Sequence, residues 1–288
     1  MPFEALVVPS DDEPQDEPEY LLDVGPPVVY APSATILINL AKRAAEDRDQ
    51  AEVAAKPIAV LTLGAPESKD LILKPLRRRE SNWVVDQFAF QGMSAVQLLG
   101  SRATEANVRR EVAGKKVVHL SCHGRAEQHF GNLFGHLALT PGPTLQNQAD
   151  NGALTLAEIY DLKLRGCELA VLSACGTNQG AEQPGEGVWA LSRGFLVAGA
   201  RRVAASNWRI EDQSTAVLVS HFSRGVARIL ADAGESDGPF DYAEALQDAK
   251  RQVRYSHLWH QRWGESPHWK KEWKHPHYWS SIVLLGPP

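Results

Sequence analysis

Residues 167–180 read CELAVLSACGTNQG. Leu169, Ala170, Val171 and Leu172 form an apolar run with no polar alternate, the pattern of a strand buried on both faces, and Ser173-Ala174-Cys175-Gly176-Thr177 then breaks into small residues. This puts Cys175 at the carboxyl end of a strand. In open α/β sheets ligands bind at that edge, and small neighbours let another backbone come close, so the thiol is a candidate nucleophile.

A second stretch, residues 115–124, reads KKVVHLSCHG and has the same design: an apolar strand that delivers His123, followed by glycine. The two strand ends lie 175 − 123 = 52 residues apart with one helical pattern between them, the length of a βαβ crossover with some loop. Parallel strands so connected end on one edge, where His123 can face Cys175 as its base. Cys122 points away from His123 by strand alternation, and His119 lies lower on the same strand.

The chain of 288 residues is long enough for one large α/β domain, or two small ones. Its net charge of −5 and lack of a long basic block do not suggest a nucleic-acid surface. Three cysteines, 122, 167 and 175, are too few for a disulfide framework and fit a reducing cytosol. There is no apolar run of transmembrane length and no signal-type start, since MPFEALVVPSDDEP turns acidic at once, so a soluble cytoplasmic protein without membrane association is expected.

Outward from the two strands, the pattern alternates. A short strand at Val28–Tyr30 leads into a helix capped by Ser33, and Pro57–Gly64 is a buried strand with no phosphate-loop pattern after it. A basic irregular stretch from Lys74 to Arg79 precedes a helix over Trp83–Phe90; a strand follows at Ala95–Leu99 and a helix at Thr104–Ala113. His136–Leu139 is a short extended piece, Leu154–Leu162 a helix, and Val188, Leu191, Phe195 and Leu196 give the next helix one buried face. A strand at Arg202–Ser206, helices at Ser214–Leu230 and Tyr242–Tyr255, and a strand at Ser281–Leu285 complete the order. One parallel sheet covered on both faces is the economical architecture.

These residues carry a resemblance. His123-Gly124, Leu172-Ser173-Ala174-Cys175, Gly185-Glu186-Gly187 through Ala198-Gly199-Ala200, and Ser206-Asn207-Trp208-Arg209-Ile210-Glu211-Asp212-Gln213-Ser214-Thr215 resemble the CHAT domain, a caspase-like family grouped with caspases and separases. Pro2-Phe3-Glu4-Ala5-Leu6, Tyr30-Ala31-Pro32-Ser33-Ala34 and His275-Pro276-His277-Tyr278-Trp279 fit its ends, so the resemblance spans nearly the whole chain. It implies a caspase-like three-layer sandwich, a central mostly parallel sheet with helices on both faces, as one domain over residues 1–288: a flanking segment 1–56 and a catalytic core 57–288. The spacing of His123 and Cys175 matches the roughly 50 residues of the caspase pattern, but beyond Ala174-Cys175-Gly176 the local sequence does not, so aspartate specificity is not inferred.

The resemblance further implies a cysteine endopeptidase with Cys175 as nucleophile, His123 as acid and base, backbone N–H groups of Gly124 and Cys175 as oxyanion hole, a protein substrate and no cofactor. By the same analogy the loop after the Ser206 strand borders the pocket for the residue before the cut. Asp212, with Glu211 beside it, would then favour Arg or Lys there; the other reading is that Asp212 caps the helix opening near Ser214. Ser206, Trp208 and Glu186 are further substrate-binding candidates. Family members usually carry a sensing or partner-binding region, so a separate regulator or sensor domain, low basal activity and a role in bacterial defence are expected from the family's company. Two other classes stand beside this reading: a catalytically silent module that binds peptide segments or partner proteins in the same cleft, and a thiol hydrolase or transferase acting on a non-peptide acyl group, for which no cofactor loop is visible.

The segment 257–277 holds five of the ten histidines, and to Trp279 five of the eight tryptophans. His257 with His260, or His275 with His277, lacks a cysteine or carboxylate partner at ligand spacing, so no metal is assigned. An aromatic insertion packed on the core, or a partner-docking surface, is the expectation.

Overall fold

A computed structural model describes residues 1–9, 17–49, 59–67, 75–142, 150–183, 187–232, 241–256 and 271–288. In chain order these form α1 (Leu21–Val24), α2 (Ala34–Asp49), β1 (Ala59–Pro66), α3 (Pro75–Phe90), β2 (Ser94–Gly100), α4 (Glu105–Glu111), β3 (Val117–Ser121), β4 (His123–Arg125), β5 (His136–Ala138), β6 (Ala153–Thr155) and α5 (Leu156–Ile159). Then come β7 (Leu169–Ser173), β8 (Gly180–Gln183), β9 (Gly187–Ala190), α6 (Leu191–Val197), β10 (Val203–Ser206), α7 (Asp212–Asp232), α8 (Tyr242–Arg254), α9 (Pro276–Trp279) and β11 (Ile282–Leu285).

Six strands make the central sheet in the order β11-β10-β7-β3-β1-β2. All neighbours run parallel except β11, which is antiparallel to β10. β7 lies inside this sheet, and alternation sends its side chains to two separate cores. Ala170 and Leu172 join Val118, Leu120, Leu156 and Phe195 on one face, while Leu169 and Val171 join Val60, Val84, Leu218 and Phe222 on the other. Helices α4 to α6 cover the first face and α3, α7 and α8 the second, giving three layers. A run without polar alternates is what burial on both faces demands.

Several boundaries differ from the sequence reading. α3 begins at Pro75, well before Trp83, because its first buried turns are polar: Arg77, Glu80 and Ser81 precede Val84 and Phe88 on the inward stripe. A hydrophobic period cannot detect such a face. Leu154 belongs to β6 and Val188 to β9, each a short antiparallel strand outside the main sheet. The strand expected at Val28–Tyr30 is a single bridge, Tyr30 to Leu285, lying along the outer side of β11. Ser33 does cap α2, its hydroxyl accepting the Ile36 N–H at 3.2 Å. Residues 57 and 58 of the expected first strand lie outside the described residues.

Candidate active site

β3 and β7 are hydrogen-bonded neighbours, and their last residues, Ser121 and Ser173, are register partners. His123 and Cys175 each follow two residues later. Equal offsets from one register pair bring both to the same carboxyl edge, where they line a cleft of about 770 Å³ together with Gly124 and Gly176. Both are partly exposed. Cys122 is fully buried on the other side of its strand, and burial pushes its thiol up to about 12. Cys167 is buried likewise, with its thiol raised to the same extent.

The chain around Cys175 is a tightly held turn. Gly176 sits at φ +61°, a conformation costly for any residue with a Cβ. The amides that follow are committed: Gly176 N–H donates to Trp208 O, Thr177 N–H to Ser206 Oγ and Asn178 N–H to Ser206 O. The Cys175 N–H donates to no described residue. Gly124 lies against this turn, with Ala174 Cβ and Thr177 Cγ2 at 3.4 and 3.3 Å from where its own Cβ would be.

Ser206 takes a different place from the one expected. It is fully buried, and its hydroxyl donates to Ala174 O at 2.5 Å while its N–H donates to Thr177 Oγ1 at 2.9 Å. It braces the cysteine turn from beneath and does not line the cleft. Trp208 stands aside, its ring stacked on His277 and its Nε1–H donating to His277 O at 3.2 Å; it is His277 that lines the cleft. Glu186 lies outside the described residues.

Asp212 and Glu211 both line the cleft, yet neither offers the unengaged carboxylate the sequence reading assumed. Asp212 Oδ1 is 3.1 Å from Arg77 Nη2. Glu211 Oε2 accepts the Ser214 N–H at 2.7 Å, so the helix-capping role considered for Asp212 belongs to its neighbour. Arg77 itself is a buried strut, its Nη1 donating to Cys122 O at 2.6 Å and to Ser173 O at 3.0 Å. One guanidinium thus ties the ends of the two site strands to the start of α7.

The electrostatics follow from this crowding. Burial lowers the proton affinity of His123, the charge of Arg77 lowers it further against the opposing pull of Asp212, and Arg209 and Arg125 add to the lowering. The neutral imidazole, able to accept a thiol proton, is the favoured form. Below it, His119 is fully enclosed between Thr62 and Glu80, at 2.8 Å from each, and serves the interior.

Arg77, Arg125 and Arg209 were not singled out from sequence. Arg77 sits in the stretch read as irregular and basic, and only its helical spacing from Val84 and Phe88 could have placed it inward. Among the described residues no group of three or more His, Cys, Asp or Glu is arranged to hold a metal. His257 and His260 lie outside them; His275 Nδ1 accepts the His277 N–H at the start of α9. Trp273 and Trp279 are buried, the latter edge-on to Tyr20. No helix among the described residues is long and apolar enough to cross a membrane.

No curated protein matches the chain. Among solved structures it is similar to the Arg-specific cysteine proteinase gingipain R, with a TM-score of 0.49 and 10% identity over 81% of this chain and 46% of that one. It is also similar to a complex of the pro- and mature domains of RgpB from Porphyromonas gingivalis, with a TM-score of 0.46, 11% identity, and coverage of 80% and 47%. A third similar structure is protein GSU0716 from Geobacter sulfurreducens, with a TM-score of 0.40, 14% identity, and coverage of 81% and 94%. The chain thus spans a little under half the length of the two proteinase chains. The family model for the CHAT domain matches residues 1–287, and the chain belongs to that family.

Proposed function

We propose that the protein is a cysteine endopeptidase working through Cys175 and His123. The observation that carries this reading is the Ser121–Ser173 register, which sends a histidine and a partly exposed cysteine from adjacent strands into one cleft. His123 takes the thiol proton, and the Cys175 thiolate attacks the scissile carbonyl carbon. The tetrahedral intermediate collapses as imidazolium protonates the leaving amine, leaving a thioester; water, deprotonated by His123, then releases the acid and restores the thiol. A thiol ionises readily enough that two residues suffice. The Cys175 N–H, which donates to no described residue, and the glycine next to His123 supply the oxyanion site, each donor contributing on the order of 3 kcal/mol.

The test is labelling by peptidyl acyloxymethyl ketones, read by intact mass, on wild type, Cys175→Ala and His123→Ala. Adduct on Cys175 that falls sharply without His123 supports the reading. A folded wild-type protein that binds peptides yet forms no adduct with any probe would instead make the cleft a peptide-binding module.

A further inference from the structure

Among the described residues, the lining of the cleft carries the opposite charge to the chain. Over the whole sequence the net charge is −5, but Arg77, Arg125 and Arg209 line the cleft against Glu211 and Asp212 among the described residues. The two carboxylates are engaged, Asp212 by Arg77 and Glu211 by the first turn of α7. Arg125 and Arg209 are exposed and form no salt bridge with any described residue. Both stand near enough to His123 to lower its proton affinity, so their charges act at the site rather than on distant surface. A guanidinium offers a carboxylate two parallel N–H donors, and in a cleft that partner is chosen by charge and shape together.

Resting on the peptidase reading of this cleft, we infer that it selects polypeptides with an acidic side chain beside the scissile bond, held by Arg209 with Arg125 flanking the histidine. Arg77 takes part indirectly: by occupying Asp212 it removes the anion that would otherwise attract a basic side chain and repel an acidic one. The selecting loop between β10 and α7 is the one first assigned to basic specificity, with the opposite sign.

Acyloxymethyl ketone peptides with Asp, Glu, Arg or Leu before the electrophile separate the possibilities by their rates of adduct formation at Cys175. The Asp probe is expected to outpace the Arg probe by about tenfold, the discrimination of one charge-assisted hydrogen bond. Arg209→Gln should bring that ratio close to one and Arg209→Glu should invert it; a ratio cancels any change in thiol reactivity common to both probes. An Arg probe that is equal or faster on wild type, or a ratio untouched by Arg209→Glu, overturns the inference. If no probe labels Cys175, the peptidase reading fails, and anisotropy of fluorescein-labelled Asp and Arg peptides on Cys175→Ala decides the charge preference. Tighter Asp-peptide binding that weakens with salt upholds it, and equal or tighter Arg-peptide binding overturns it.

Discussion

Gly124 packs its Cα against the carbonyl oxygen of Cys175, so closely that a Cβ on residue 124 would overlap that atom. The loop carrying the histidine and the turn carrying the cysteine are therefore in backbone contact, and glycine is what permits it. Gly124→Ala must push the two apart. A displacement of about 1 Å can cost roughly a hundredfold in reactivity, against a stability loss of about 1–3 kcal/mol from overpacking. Probe labelling of Cys175 should fall by that larger factor while the protein still unfolds cooperatively in denaturant. Wild-type labelling by a folded Gly124→Ala protein would show that this contact does not set the site's geometry.

Arg77 gives a prediction of a different kind. Its guanidinium satisfies two strand-end carbonyls and Asp212 at once, and its side chain is 3% exposed. Arg77→Met takes this guanidinium from Asp212 and leaves two strand-end carbonyls without their donor, for a loss of about 3 kcal/mol in urea unfolding. Adding Asp212→Asn should recover part of that loss, since the carboxylate charge that Arg77 balanced is then gone. Arg77→Lys keeps the charge but cannot span three acceptors, and should fall between. Additive losses in the double variant would mean that the pair is not coupled.

The acid limb of the labelling rate reports loss of the imidazolium proton of His123, the base that takes the thiol proton. Burial and the Arg77, Arg209 and Arg125 charges disfavour the protonated imidazole. Positive neighbours ease loss of that proton, so the limb should lie below the ordinary histidine value of about 6.5. Arg209→Gln removes one cation and should move the limb upward, toward that value; added salt should act in the same direction. The measurement is the pH dependence of adduct formation with an uncharged Leu probe. A limb that moves down on Arg209→Gln reverses the sign and rules out this electrostatic account.

Much of this was legible in the chain before any coordinates. Leu169–Leu172 declares a buried strand because its run has no polar alternate, Val117–Leu120 does so with His119 as its one polar member, and small residues after each mark the turns that hold Cys175 and His123. Ser206 and Asp212 show where such reading stops. Position in a loop or at a strand end says which edge a residue occupies, but not that Ser206 is spent on Ala174 O or that Asp212 meets Arg77 from α3, 135 residues away in the chain. Those partnerships are long-range and polar, and α3 hid its inward face for the same reason: Arg77 and Glu80 stand where an apolar stripe was sought.

A second buried pair, far from the cleft, ties the start of the chain to α8. Glu4 Oε1 lies 2.5 Å from Lys250 Nζ, Tyr30 Oη donates to Glu4 Oε2 at 2.7 Å, and both charged side chains are at most 5% exposed. Burial alone would raise the Glu4 carboxyl, but the Lys250 charge and the hydrogen bonds from Lys250 and Tyr30 outweigh it and hold it below the usual 4.5. Since the folded-state value is the lower one, the stabilisation from this carboxylate is complete above the unfolded value and is lost as pH falls through the folded one. Lys250→Met strands the carboxylate in the interior and should cost about 3–5 kcal/mol, whereas Glu4→Gln with Lys250→Met removes both charges and should recover most of the loss. The acid sensitivity below pH 4.5 should flatten in the double variant, because no buried carboxylate remains there to protonate. Urea unfolding of the single and double variants at neutral and acid pH measures both effects. Equal losses in the two variants would mean that α8 holds the first residues through Gln247, Arg251 and Arg254, whose side chains donate to Leu22 O, to Asp23 O and to Pro18 O, and not through the ion pair.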